Sequence, residues 1–138
     1  MNTATHWFPG RLTEMSAGEC RQLLLATSVG RVVFVDELGP TALPVNYVLD
    51  EDNVLFRTSA HNTLGRHLDG ATVALEVDDF EDYTQSGWSV LVRGIASFVP
   101  HDDLPDGGNQ PYPWPDGVRT LMVQITPESV TGRRLLPV

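Results

Sequence analysis

Six short segments rich in β-branched and aromatic residues, separated by tight polar turns, constrain the fold of this chain most strongly. Val73, Leu75 and Val77 alternate with smaller or polar residues, which is the two-residue period of a half-buried strand. Asp36–Pro40 and Asp50–Asn53 carry the Asp, Asn, Gly and Pro residues that favour turns. We predict strands at residues 31–35, 41–49, 54–58, 73–77, 87–99 and 120–126.

A single helix is predicted before the strands. Ser16–Glu19 has the pattern of a capping box, in which the serine accepts a hydrogen bond from the helix start and Glu19 reaches back. From Cys20 to Thr27 the less polar residues recur at the i, i+3, i+4, i+7 spacing of an amphipathic helix. The predicted helix therefore covers about residues 17–27.

The remaining segments complete a mainly β fold in one domain of residues 1–138. Residues 1–15 are predicted to be an extended arm, 63–68 one or two short helical turns, and 100–117 a Pro- and Gly-rich loop. Gly94 interrupts the fifth strand and indicates a bulge or bend. Six strands joined mainly by short turns favour a closed antiparallel barrel, since closure removes exposed strand edges.

The charge balance argues against a nucleic-acid partner, because the net charge is −9 and phosphate neutralisation supplies most nucleic-acid affinity. All 9 basic residues are arginine. A chain without lysine has neither the lysine of a Walker phosphate loop nor one for a pyridoxal phosphate Schiff base. No apolar run reaches the length of a membrane span, and the first ten residues do not resemble a signal peptide. We expect a cytoplasmic protein.

Several chemical motifs are incomplete. The four histidines and the one cysteine do not form a metal-binding pattern, and Cys20 is predicted to be an inert core thiol. Asp78–Asp82 lacks the glycine and the final glutamate of a calcium loop, so we expect a solvated turn. Gly87–Leu91 lacks the second glycine of a nucleophile elbow. We predict no metal site and no nucleophilic catalysis.

Five short motifs in a fixed order point to a family. The order and spacing resemble the pyridoxamine 5′-phosphate oxidase-like family of FMN-binding split barrels, and in particular its short bacterial members. The resemblance covers nearly the whole chain from about Leu12, and it implies a six-stranded split barrel whose homodimer interface holds FMN. The motifs are Val29–Val32, Pro44–Tyr47, Phe56–Thr58, Gly87–Gly94 and Thr131–Arg134.

The resemblance implies a phosphate site at the end of one strand, where Arg57 and Thr58 match the residues that hold the FMN phosphate. A guanidinium offers phosphate a two-pronged donor, and a hydroxyl adds a further hydrogen bond. Asn62 and Thr63 follow, and a helical turn that begins near Thr63 would add backbone donors. Many relatives have a lysine in this stretch, where this chain has His61, Asn62 and Thr63.

The resemblance also implies that the strand carrying Val45, Asn46 and Tyr47 lies along the isoalloxazine ring. Trp88 would pack near the site from the same or the partner subunit. Simpler roles remain open for these residues: Arg57 could form an ion pair, Trp88 could pack in the core, and Asn46 could satisfy backbone groups.

The function that follows is an FMN-dependent oxidoreductase that acts on a small molecule and works as a homodimer. In such a protein the chain supplies binding and orientation, and the cofactor supplies the redox chemistry. No residue is assigned as an acid or a base. The alternative is a non-catalytic carrier barrel for flavin, haem or a deazaflavin, and a third hypothesis is a structural dimer without a ligand. Neither nucleic acid nor a membrane is an expected partner.

Overall fold

The computed structural model describes residues 11–59, 67–100, 103 and 120–137. Within these ranges the chain forms one helix and seven strands. The predicted turn at 63–68 and loop at 100–117 lie largely outside the described residues. The elements are β1 (Arg11–Glu14), α1 (Ala17–Ala26), β2 (Val29–Asp36), β3 (Gly39–Asp50), β4 (Asn53–Ser59), β5 (Thr72–Glu81), β6 (Ser86–Phe98) and β7 (Thr120–Leu136).

Six of the strands close into a ring in the order β7–β4–β3–β2–β5–β6, and β6 pairs with β7 to complete it. Every pairing is antiparallel, and β1 adds to the far end of β7. Closure leaves the strands of the ring without open edges. The predicted mainly β barrel with one N-terminal helix is confirmed, and the part of the arm at residues 11–14 is a strand.

Helix α1 begins where the capping box predicts. The Ser16 hydroxyl accepts a hydrogen bond from the Glu19 amide at 3.2 Å, and the Glu19 carboxylate accepts one from the Ser16 amide at 3.4 Å. The helix buries Cys20 and Leu24 against the barrel. A Cβ atom on Gly132 of β7 would lie 2.5 Å from the Cys20 sulfur. The close approach of helix and strand therefore requires glycine here, and the predicted core position of Cys20 is confirmed.

Two strands are longer than predicted. Strand β5 continues beyond Val77 to Glu81, so the prediction of a turn at Asp78–Asp82 is wrong for Asp78–Glu81, which pair with β6. Strand β7 continues beyond Thr126 to Leu136. The register against β6 shifts between Arg93 and Gly94, which face Ser129 and Pro127. Glu128, which lies between Pro127 and Ser129, is therefore an extra residue on β7 with no partner on β6. A bulge of this kind also tolerates a proline, here Pro127. The predicted irregularity at Gly94 is confirmed. A side chain there would collide with the backbone of Thr126.

The core lies inside the ring, where alternate residues of each strand point inward. The described chain contains no helix that is both long and apolar enough to cross a membrane. The largest fully buried side chains include Val32, Tyr47, Phe56, Leu75, Val90 and Ile125.

Candidate functional site

The predicted cofactor residues of β3 and β4 divide between the two faces of the barrel wall, because successive side chains of a strand point in opposite directions. On β3, Val45 and Tyr47 are buried in the core, and Asn46 between them faces outward. On β4, Thr58 is buried on the inner side and Arg57 faces outward. The structure therefore brings Asn46 and Arg57 to one outer surface and places the other three side chains inside.

The outer surface around Arg57 is partly apolar. Arg57 is half-buried and pairs with Met122 of β7. Met122 and the preceding outward residue of β4, Leu55, are both buried. Continuing the β3–β4 register by one step sets Asn46 opposite Arg57. Hydrogen bonds from a guanidinium to an anion are stronger where neighbouring apolar groups exclude water, so this surface suits the binding of a phosphate.

Thr58 does not share the outward direction of Arg57. Its side chain is only 4% exposed and lies on the core side of β4. A phosphate on the outer surface beside Arg57 would therefore lie on the opposite side of β4 from the Thr58 side chain. The joint role of Arg57 and Thr58 stays a prediction, and Asn62 and Thr63 lie outside the described residues.

The side chain of Tyr47 holds the barrel to the helix. Its hydroxyl donates a hydrogen bond to the Leu24 carbonyl at 2.7 Å and lies 2.7 Å from the Thr27 hydroxyl. The Tyr47 amide donates to the Ser28 carbonyl at 2.9 Å. Burial raises the pKa of the phenol above its ordinary value. Tyr47 therefore has a structural role that the sequence did not reveal, and its contact with a flavin ring stays a prediction.

Trp88 occupies an inward position near the start of β6 and is 9% exposed. An open cleft of about 470 Å³ lies at this end of the barrel, between β5, β6 and the last residues of β7. Trp88 lines this cleft together with Phe80, Gly87 and Arg134. Its position is compatible with both predicted roles, core packing and contact with a ligand.

Two carboxyl groups on the outer face of β5 share one arginine. Arg31 of β2 lies 3.0 Å from Glu76 and 3.3 Å from Asp78. Burial, followed by the hydrogen bond and negative charge of Asp78, raises the pKa of Glu76 to about 7, although Arg31 opposes the shift. Glu76 was not singled out from the sequence. The available signal was two acidic residues two positions apart, but the predicted strand ended at residue 77. Because β5 continues to Glu81, both carboxyl groups lie on one face.

Leu55 and Met122 were also missed as neighbours of Arg57. Val54, Leu55 and Phe56 form a continuous apolar run, and such a run indicates a strand that is buried on both faces. All three are buried. Among the described residues, no three His, Cys, Asp or Glu side chains are grouped as metal ligands.

Comparisons with known proteins agree with the barrel. The model of a family described as pyridoxamine 5′-phosphate oxidase matches residues 16–134. The uncharacterized protein Rv0080 of Mycobacterium tuberculosis is 30% identical over 131 residues, which are 91% of this chain and 86% of that protein.

Two solved structures are similar over almost their whole length. The FAD binding protein from Mycobacterium smegmatis is 31% identical, with a TM-score of 0.69, covering 90% of this chain and 98% of that one. The conserved protein of unknown function DIP1874 from Corynebacterium diphtheriae is 28% identical, with a TM-score of 0.74, covering 91% of this chain and 98% of that one.

Proposed function

Because this chain belongs to the pyridoxamine 5′-phosphate oxidase family, we propose that it binds a flavin nucleotide and uses it for redox chemistry on a small molecule. The observation that carries this proposal is the likeness to the FAD binding protein from Mycobacterium smegmatis, at 31% identity over nearly all of both chains. We further propose that the flavin lies at the interface of a homodimer, as the family resemblance implies.

The chain's own contribution is to bind and orient the flavin. Arg57 would hold the phosphate attached to the ribityl chain, a group that FMN and FAD share, because its guanidinium can donate two parallel hydrogen bonds. Leu55 and Met122 would limit the access of water to this contact. Asn46, on the same outer surface, has both a donor and an acceptor to offer to the polar edge of the ring. A bound flavin would supply the hydride or electron transfer.

FMN is the flavin that the family resemblance implies, and FAD is a second candidate. The similarity to an FAD binding protein favours FAD.

Spectroscopy and titration test the proposal. Protein purified from cells should show a flavin absorbance band or acquire one on addition of FMN or FAD. The flavin that binds with the higher affinity identifies the cofactor. Reduction of the bound flavin by a nicotinamide donor, followed by reoxidation with a small acceptor, would support an oxidoreductase. Binding without turnover would favour the carrier alternative. A haem or deazaflavin spectrum, or no binding at all, would contradict the flavin proposal.

Light scattering tests the homodimer. A twofold interface is the commonest arrangement of soluble oligomers, so the expected mass is about twice the 15.2 kDa of one chain. A monomer that binds flavin with full affinity would contradict the interfacial site while leaving flavin binding intact.

A further inference from the structure

One edge of β7 has a stretch without a neighbouring strand in the part of the chain that the structure describes. Its pairing with β4 ends at Ile125, and its pairing with β1 begins only at Arg133. Helix α1 packs against β7 here, and the Met15 amide, just before the helix, donates a hydrogen bond to the Gly132 carbonyl at 2.9 Å. In this part of the barrel wall a helix therefore takes the place of a strand.

A cleft of about 330 Å³ lies between the helix and the barrel at this gap. Ala17, Arg21 and Leu24 line its helix side, because residues four and three positions apart share one face of a helix. The opposite wall is apolar and comes from four different strands, through Leu49, Val54, Val92 and Pro127. Val54 and Val92 belong to the core, so the floor of the cleft is continuous with the interior of the barrel.

The size and the lining of the cleft suit a small apolar molecule. Its volume lies at the lower end of the range of small-molecule sites, which are mostly apolar with a few polar groups. Protein interiors are closely packed, so a ligand that fills an apolar space supplies contacts that its walls would otherwise lack. An engineered apolar cavity of only about 150 Å³ binds benzene.

The rim of the cleft is electrically neutral. Among the described residues that line it, only Arg21 and Asp52 are charged, and their side chains form an ion pair at 2.7 Å. The Asp52 side chain is 91% exposed, so this pair lies at the rim and not in the apolar interior. A charged ligand would leave water without gaining an unpaired counter-charge, which is unfavourable. Asn53, which also lines the cleft, has an amide that can donate to or accept from an uncharged polar group.

We infer that this cleft is a binding site for a small uncharged molecule that has an apolar body and one hydrogen-bonding group. The body would lie between Leu24 and Val92, and the polar group near Asn53. The site is separate from the proposed flavin contacts. Asn53 begins β4 at the turn from β3, whereas Arg57 lies toward the other end of that strand.

Titration of the ¹⁵N-labelled, purified protein with indole, followed by NMR, tests the site. Indole is flat, apolar and uncharged, and it carries one N–H donor. Saturable shifts are expected for amides of α1 and of residues 49–54. Indole-3-carboxylate has the same rings and a negative charge, and it should bind at least about tenfold more weakly because Asp52 already pairs with Arg21.

Ala17→Phe places a ring in the cleft and should weaken indole binding by at least about tenfold. The matched control is Ala26→Phe, because Ala26 is also exposed on α1 and does not line the cleft. Equal affinities in Ala17→Phe and the wild type, or an equal loss in Ala26→Phe, would overturn the inference. Flavin affinity should be unchanged in Ala17→Phe, and its loss together with indole binding would contradict a separate site.

Asp52→Asn tests the charge argument without filling the cleft. It leaves Arg21 without its carboxylate, so indole-3-carboxylate should bind at least about tenfold more tightly than to the wild type, and indole binding should change little. Glu51→Gln is the control, because it removes a negative charge from the same turn at a residue that does not line the cleft. No saturable indole binding would overturn the inference. Tighter binding of the carboxylate than of indole by the wild type would overturn it in favour of an anion that displaces Asp52.

Discussion

The phenolic oxygen of Tyr47 lies 2.7 Å from the carbonyl oxygen of Leu24, so the middle of β3 is bonded to the last turn of α1. The last four carbonyl groups of a helix have no partner within the helix. Tyr47 satisfies one of them from inside the barrel. The Thr27 hydroxyl satisfies another, because it donates to the Leu23 carbonyl at 2.7 Å. The helix is thus fixed at its end by polar contacts and along its length by packing.

Tyr47→Phe should lower the free energy of unfolding by about 1–3 kcal/mol, because it leaves the buried Leu24 carbonyl with only a 3.5 Å contact to the Thr27 hydroxyl. Urea denaturation measures the change. Tyr83→Phe is the control, since Tyr83 is 95% exposed and should change stability by less than about 0.5 kcal/mol. Equal stabilities for the two variants would show that the bond to Leu24 contributes nothing.

Gly94→Ala should destabilise the barrel strongly, by more than about 2 kcal/mol, because the new methyl group would meet the backbone of Thr126 at the bulge. Gly18→Ala is the matched control. A Cβ atom on Gly18 would have only the Ser16 hydroxyl oxygen near it, at 4.0 Å. In the helix this change should be neutral or stabilise by up to about 1 kcal/mol. Thermal unfolding of both variants checks the prediction, which is wrong if Gly94→Ala unfolds at the same temperature as the wild type.

Glu76→Gln should make the protein more stable above pH 7. The pKa of Glu76 is raised to about 7 in the folded state. Between about pH 4.5 and pH 7 the folded chain retains a proton that the unfolded chain has lost, so the contribution of Glu76 to stability falls as the pH rises through this window. The loss is smaller than the roughly 3.5 kcal/mol to which a shift of this size corresponds, because the Glu76 side chain is 27% exposed and solvent screens its interactions.

Urea denaturation at several pH values measures the effect of Glu76→Gln. The variant should show a flatter pH dependence than the wild type, whereas Glu81→Gln, at an exposed position of the same strand, should follow the wild type. Asp78→Asn should lower the pKa of Glu76, since it removes a neighbouring negative charge. Parallel curves for the wild type and Glu76→Gln would contradict the assignment.

Arg57→Ala should weaken FMN binding by about ten- to hundredfold and leave riboflavin binding unchanged, because riboflavin has no phosphate. Thr63→Lys should strengthen FMN binding if the phosphate lies where the family resemblance implies. Fluorescence titrations with both flavins measure these effects, with Arg11→Ala as the control for general loss of positive charge. Equal weakening of FMN and riboflavin binding would show that Arg57 does not bind the phosphate.

The helix and the strands could be predicted because their signals are local. Ser16 and Glu19 determine where α1 begins through contacts three residues apart, and the alternation of Val73, Leu75 and Val77 reflects one face of one strand. The bond from Tyr47 to Leu24 joins residues on different elements, and no local pattern reveals it. It depends on how the helix packs against the ring.

The candidate phosphate site could be predicted only as a stretch of sequence. Arg57 and Thr58 are adjacent in the chain, and the family resemblance implies that they hold one phosphate. The two-residue period of the strand directs their side chains to opposite faces. This divergence follows from the strand prediction itself. The burial of Leu55 and Met122 beside Arg57 requires the pairing of β4 with β7, which the sequence does not specify.

The extra residue Glu128 changes the phase of β7. Before it, the odd-numbered residues Val123 and Ile125 face the core, and after it the even-numbered residue Gly132 does. The alternation of inward and outward side chains therefore shifts by one residue at this point. A two-residue pattern that is followed from Thr120 does not continue past Thr126, where the predicted strand ends. This one inserted residue sets the orientation of all later residues of β7. It directs Arg133 to the outer surface of the barrel, opposite Ser89, and leaves Arg134 within 3.9 Å of Glu19 on the helix.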